Sequence, residues 1–527
     1  MKDRVSLTDF LMYHKETHPI SFHMPGHKGR STLYGIYGFG DFVKNVVGND
    51  ITEIPGADAL QQPRERIKDI MEGYAGLYGA KHTELLVNGS SAGLMASILG
   101  SVPRGGKLLM GRNSHKSVYG ALRLGGINPV YIMPEIDGET GLQLGLDPDK
   151  IEAALIKDLD IKAVLVTSPN YYGVLSDIER IASIVHLHGR ILIVDQAHGA
   201  HLKFFDYLRS EDGLPHRAAE NCGADIVVDS THKTLLSFTG SAILNICTER
   251  PDVSRISELL RMLQTTSPSY LLMGSLDINQ QILRMDGYNL IKNWDADIKY
   301  FYEEAAQIAG LGLIDRIDLD ETKVSITMSA LGLSGPELAE ELEKRNIWVE
   351  LTHGDYVMLM TGIGNERGDY EDVLSALRDL SAHHGGRIQG VEPESSASKT
   401  ESAAQEAVQK QAKNEAQAAN KNASQPVDKI TELRTPSSDS ALIERLEQRR
   451  IPDTYEEIPL YSAEGRVLYE SIIPYPPGTP IACPGEVLSK SVILYVRDQL
   501  VAQHVVLGVD EEGRVKVESD CVLFKEI

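Results

Sequence analysis

The stretch Ile226-Val227-Val228-Asp229-Ser230-Thr231-His232-Lys233, followed by Ser237-Phe238-Thr239-Gly240-Ser241, decides how this chain is read. An apolar run ends in a turn of small polar residues that carries one lysine. Most lysines are solvated surface groups. A lysine at the end of a buried strand is placed instead for an amine that must reach a carbonyl carbon. Ser230 and His232, in the same turn, can hydrogen-bond a phosphate. Thirty-eight residues before Lys233, another apolar run, Ile191-Leu192-Ile193-Val194, ends in Asp195-Gln196-Ala197-His198. An aspartate at one strand end and a lysine at a later one are the two groups a pyridoxal phosphate site needs. The lysine holds the aldehyde as a Schiff base, and the carboxylate keeps the ring nitrogen protonated. Asp195 alone also reads as a helix N-cap, a common role, and His198 equally as a neighbour of the ring or a satisfied structural histidine.

Outward from these two strand ends the pattern is regular. Apolar runs at 84–87, 107–110, 129–133, 163–167, 191–194, 225–228 and 242–246 predict strands, most of them separated by helical stretches such as 147–157 and 177–188. Several runs are continuous rather than alternating, as in strands covered on both faces. The alternation predicts an α/β fold with a mostly parallel central sheet, helices on both faces and right-handed crossovers. A long helix over about 274–310 leads to a smaller α/β unit with strands at 323–328, 347–351 and 356–360 and helices at 334–345 and 370–383.

Two further strand ends carry candidate chemistry. Asn88-Gly89-Ser90-Ser91-Ala92-Gly93 lies between a strand and the helical LMASIL. Glycine lets the backbone approach an anion, serines add hydroxyl donors, and the next helix offers free N–H groups, so the segment fits a phosphate cup or, more blandly, a strand–helix turn. It is neither a Walker loop nor a GxGxxG fingerprint. His115, after the second strand, can stack on a pyridine ring or serve structure alone. His23-Met24-Pro25-Gly26-His27-Lys28-Gly29 crowds two histidines and a lysine onto a non-helical loop without an adjacent carboxylate or cysteine. That favours a substrate- or partner-facing loop over a metal site.

With 527 residues the chain divides into domains. The expected division is an N-terminal arm (1–80) with a helix near 64–78, a large cofactor-binding domain (81–290) and a small α/β domain (291–390). A linker (391–425) too poor in apolar residues to build a core follows, then a C-terminal α+β domain (426–527) with helices at 441–449 and 489–502 and strands at 505–507 and 515–517. The net charge of −23 argues against nucleic acid or anionic membrane as a partner. No apolar run is long enough to span a membrane, the start lacks a signal-peptide core, and the four cysteines are scattered, so a cytoplasmic protein with reduced thiols is expected.

The pieces FHMPGHKG (22–29), DITEIPG (50–56), NGSSAG (88–93), RNSHKS (112–117), DQAHGAH (195–201), DSTHK (229–233), TTSPSYLLMGSLD (265–277) and YPPGTPIACPGE (475–486) occur together and in order. In them the chain resembles the bacterial Orn/Lys/Arg decarboxylases, fold type I pyridoxal-phosphate enzymes, in a compact form without an N-terminal wing domain. The resemblance implies Lys233 as the Schiff-base lysine, Asp195 as the ring-nitrogen partner and His115 as the stacking residue. Gly89, Ser90, Ser91, His198, Ser230 and His232 would surround the cofactor. Thr265 and Ser267 would approach from a dimer interface. Glu486, with Asp58 and His27, would meet the substrate. It further implies α-decarboxylation of a basic L-amino acid in polyamine metabolism, arginine preferred over lysine or ornithine, by a homodimer or larger homo-oligomer that shares its active site. Lys233 or His232 would return a proton to the α-carbon. Transamination, or a non-catalytic decarboxylase-like regulator, are the rival outcomes. Three places depart from the family pattern: Gln196 replaces a glutamate, 57–63 lacks the second acidic residue and the His-x-Pro often found there, and Gly274 replaces an alanine.

Overall fold

The computed structural model describes residues 6–388, 446–449, 451–452, 454–475, 478–501 and 505–519. The linker expected at 391–425 lies outside them, as does the first half of the helix expected at 441–449. Residues 446–449 are not helical; Gln448 instead forms a bridge with Glu486.

The N-terminal arm contributes helix α1 (Leu7–Glu16), strand β1 (Ile20–Phe22) and helix α2 (Arg66–Tyr78). The predicted alternation then appears as β2 (His82–Leu86), β3 (Lys107–Gly111), β4 (Asn128–Ile132), β5 (Ile161–Thr167), β6 (Ile191–Asp195), β7 (Ile226–Asp229) and β8 (Ala242–Ile246), in one sheet of order β2-β8-β7-β6-β5-β3-β4. Neighbours from β7 to β4 run parallel; β8 runs antiparallel to β7 and β2. The reversal follows from the connection at 230–241. It holds one helical turn, Thr231–Thr234, too little for the crossover a parallel partner requires. The chain therefore returns beside β7 and leaves Lys233 just past the C-terminal end of β7, an interior strand of the sheet.

Helices α3 (Gly89–Ser101) and α4 (Lys116–Gly125) cover one face near β2 and β3. Gly93 sets the closeness of α3. A Cβ there would meet Leu86 Cδ1 at 2.6 Å and Val228 Cγ1 at 3.1 Å. The long helix α5 (Tyr270–Ala305) carries the chain out of the large domain, starting slightly earlier than its periodicity predicts because Ser269 caps it. Gly274 on α5 makes room for Phe42, whose ring would lie 2.7 Å from an added Cβ.

The small domain forms a four-stranded sheet, β12 (Leu351–His353), β13 (Tyr356–Met360), β10 (Lys323–Thr327) and β9 (Gly312–Leu313), flanked by helix α6 (Arg367–Ile388). The single strand expected at 347–351 is two. Its first part, β11 (Ile347–Val349), pairs parallel with β1, with Ile20 opposite Ile347, so the N-terminal arm is stitched to the small domain. In the C-terminal region β14 (Tyr455–Pro459) pairs with β17 (Arg514–Glu518), and β15 (Ile473–Tyr475) with β16 (Val505–Leu507); helix α7 (Lys490–Val501) packs its own small core. Cys483 lies instead in the core of the large domain. Among the described residues no helix is long and apolar enough to cross a membrane.

Candidate active site

A cavity of 630 Å³ opens where the C-terminal ends of β5, β6 and β7 meet the N-terminal arm and β11. Ligands gather at such strand ends in open α/β sheets because the connecting loops diverge there. Lys233 points its Nζ at His198 Nε2, 2.9 Å away. Burial pushes the Lys233 amine down to about 8, against the pull of the nearby Asp195 and Glu350 carboxylates. Burial holds His198 well below its ordinary value, and the Lys233 charge adds to this, so its ring is neutral and accepts from the amine. Asp195, 3 % exposed at the end of β6, takes one hydrogen bond, 3.2 Å, from the Ala197 N–H. Burial raises its carboxyl and Lys233 opposes the rise.

His115 is the N-cap of α4; its Nδ1 accepts from the Ser117 N–H at 3.2 Å. Burial and the cations of Lys233 and Lys116 push it down to about 3, so it lines the cavity as a neutral ring. Gly89, Ser90 and Ser91 begin α3 on the cavity wall, and Asn88 gives that helix no side-chain cap. The Gly89 N–H is already committed to Gly240 O at 2.8 Å, so an anion there would rely on the following amides and the serine hydroxyls. Two buried hydroxyls in the same wall, Ser230 Oγ and Thr167 Oγ1, have no hydrogen-bond partner among the described residues. An uncapped helix start, an orphaned serine, a lysine and a buried aspartate in one cavity fit the phosphate, aldehyde and ring nitrogen of pyridoxal phosphate.

Several expected residues lie elsewhere or act differently. His232 lines the cavity, but its Nδ1–H donates to Ser241 O at 2.6 Å and burial lowers it to about 4. Its Nδ1 is thus occupied, and Nε2 is left as an acceptor. Glu486 does not reach the cavity: it is 2 % exposed and both its oxygens are bound by Arg112, at 3.1 and 2.7 Å. A carboxylate so occupied has little left for a substrate cation. Asp58 also lies outside the cavity; it accepts the N–H groups of Ala59, Arg64, Glu65 and Ile67 and organises the entry to α2. His27 is packed edge-on against Phe238 and Tyr34, with centroids 6.1 and 6.5 Å away. Thr265 and Ser267 are exposed, away from this chain's cavity, where Thr265 O accepts from Gln61. Gln196 is fully buried with its amide turned from the cavity, donating to Glu220 at 3.0 Å and Asp229 at 2.9 Å. Its departure from the family pattern therefore does not touch the substrate path.

The structure adds residues the sequence did not mark. Glu350, between β11 and β12, lines the cavity and accepts from Tyr171 Oη at 2.9 Å and the Met24 N–H at 3.0 Å. A lone acid inside an apolar strand pattern was its available signal. Tyr171 also meets the His198 ring edge-on at 4.9 Å. Behind the cavity Lys323, fully buried, donates to His198 O at 3.2 Å and pairs with Asp320 at 3.1 Å; Asp320 in turn bonds His201.

Known proteins resemble this chain in sequence and in fold. The family model described as Orn/Lys/Arg decarboxylase, major domain, matches residues 5–311, and the C-terminal domain of the same family matches 439–508. The chain is 30 % identical over 519 residues to an arginine decarboxylase of Bacillus anthracis, covering 95 % of this chain and 94 % of that one. It is 30 % identical over 511 residues to the arginine decarboxylase of Bacillus subtilis, at the same coverage of each. In fold it is similar to lysine decarboxylase A from Pseudomonas aeruginosa, with a TM-score of 0.69 at 19 % identity over 97 % of this chain and 80 % of the other. The chain belongs to the Orn/Lys/Arg decarboxylase family.

Proposed function

We propose that this amino-acid decarboxylase removes the α-carboxylate of L-arginine, using pyridoxal 5'-phosphate held on Lys233, and releases agmatine and carbon dioxide. The observation that carries the proposal is the meeting of Lys233, Asp195, His115 and Glu350 around one cavity. When bound, pyridoxal phosphate supplies an electron sink conjugated to the substrate's α-carbon. The chain's own groups do the rest. The Lys233 amine, lowered to about 8, is uncharged in roughly one molecule in ten at pH 7, enough to attack an aldehyde. Asp195 would hold a proton at the ring nitrogen, and His115 would lie against the ring. Ser90, Ser91, Ser230 and the start of α3 would bind the phosphate. Glu350 has lone pairs beyond the two already used and would hold the substrate's distal cation. A buried wall excludes water, which favours loss of a charged carboxylate as neutral carbon dioxide. Lys233, rather than His232, would return the proton to the α-carbon.

Arginine is favoured by three relatives at 30 % identity, all arginine decarboxylases. We also infer a homodimer in the cytoplasm. Leu7, Phe10, Leu11 and Tyr13 on α1, together with Val47 and Ile54, are at least half exposed in the single chain. Thr265 and Ser267 are exposed where a second copy could bring its own cavity to them. The deciding assay is carbon dioxide release from arginine, lysine and ornithine with the product identified. Agmatine and carbon dioxide from arginine are expected; a keto acid without carbon dioxide would establish transamination instead.

A further inference from the structure

Arg112 begins the turn that carries His115, and it is 1 % exposed. All five of its guanidinium N–H groups have acceptors. Nε donates to Glu486 Oε1 at 3.1 Å and Nη2 to Glu486 Oε2 at 2.7 Å. Nη1 donates to Pro480 O at 2.8 Å and to Tyr119 Oη at 3.1 Å, and Nη2 also reaches Ile481 O at 3.3 Å. The same turn is tied once more, by the Lys116 N–H to Gly478 O at 3.2 Å. The segment 478–486 is closed on itself by the Cys483 N–H donating to Glu486 Oε2 at 2.7 Å. Thr479 therefore sits between residues that are each bonded to the His115 turn, and Thr479 itself lines the 630 Å³ cavity.

We infer that the C-terminal domain is a built part of the cofactor site: Arg112 and Glu486 are positioning residues that fix the His115 turn, and the Thr479 hydroxyl is a further cofactor-binding group. This rests on the pyridoxal phosphate site proposed above. A buried ion pair alone is a weak source of stability because both charges are desolvated. Here its geometry joins the two domains beside Thr479, the described residue of the C-terminal domain that lines the cavity. Four of the five directed hydrogen bonds cross to the C-terminal segment, and together they set the distance between Thr479 and the ring of His115. Lysine cannot reproduce that fork.

The test uses the full chain titrated with pyridoxal 5'-phosphate, read as the dissociation constant and as the visible circular dichroism of the bound cofactor. Thr479→Val is expected to weaken binding about tenfold, the worth of one hydrogen bond, and to reduce the visible signal while the far-ultraviolet spectrum and melting temperature stay put. Thr479→Ser restores both readouts. Glu486→Gln and Arg112→Lys weaken binding in the same direction; should either fail to fold, the Thr479 pair still decides. Thr479→Val binding as tightly as wild type, with an unchanged visible signal, overturns the inference alone. A wild-type chain that binds no cofactor overturns it together with the proposed function.

Discussion

At the scale of the residue, the site works by placing titratable groups where burial and neighbours shift them. Lys233 is driven down to about 8 by burial, and the Lys323 cation pushes the same way. The amine must be neutral to attack, so loading of the apoprotein with pyridoxal phosphate should accelerate as pH rises through about 8. In Lys323→Met one repelling charge is gone, the amine holds its proton longer, and the midpoint of the loading rate should move to higher pH. An unmoved midpoint would remove Lys323 from the electrostatics of the site. Glu350→Gln should raise KM for arginine by roughly tenfold to a hundredfold with a smaller change in kcat, the signature of a lost charge-assisted hydrogen bond made in binding. A change confined to kcat would place the distal cation elsewhere. The meeting of Lys233, Asp195 and His115 at one cavity was legible from sequence because Asp195 ends a recognisable strand and the other two follow one within four residues. Glu486 was misjudged because a motif fixes a residue's place in the chain but not the direction of its carboxylate. That direction depends on Arg112, which is 374 residues away. Glu350 went unmarked because the strand that carries it was read as one strand, with nothing to say which face met a cavity.

At the scale of the element, the end of the cavity proposed to bind the phosphate depends on how closely α3 lies on the sheet. Gly93→Ala would place a methyl carbon 2.6 Å from Leu86 Cδ1 and lift the start of the helix. It should cost about 1–3 kcal/mol in urea unfolding and weaken pyridoxal phosphate binding; full retention of both would mean that the helix has slack. The strands of the large sheet were readable because continuous apolar runs leave few alternatives. The reversal of β8 was not read, since direction depends on the length and content of the connection at 230–241. The pairing of β1 with β11 was equally hidden, because no local pattern tells a three-residue strand which distant partner it will join.

At the scale of the whole molecule, four parts of the chain converge on one cavity: the N-terminal arm supplies His23–Pro25, the large domain lysine and aspartate, the small domain Glu350, and the C-terminal domain Thr479. The exposed apolar residues of α1 and of the stretch around Val47 and Ile54 predict association. Sedimentation should give at least twice the chain mass of 57.9 kDa; a monomer at micromolar concentration would contradict the inferred dimer. The central claim is chemical, and borohydride reduction followed by peptide mass mapping addresses it most directly. The reduced holoprotein should carry one pyridoxyl group, on the peptide containing Lys233, and Lys233→Ala should carry none. An adduct on another lysine, or no adduct on the wild-type chain, would contradict the account.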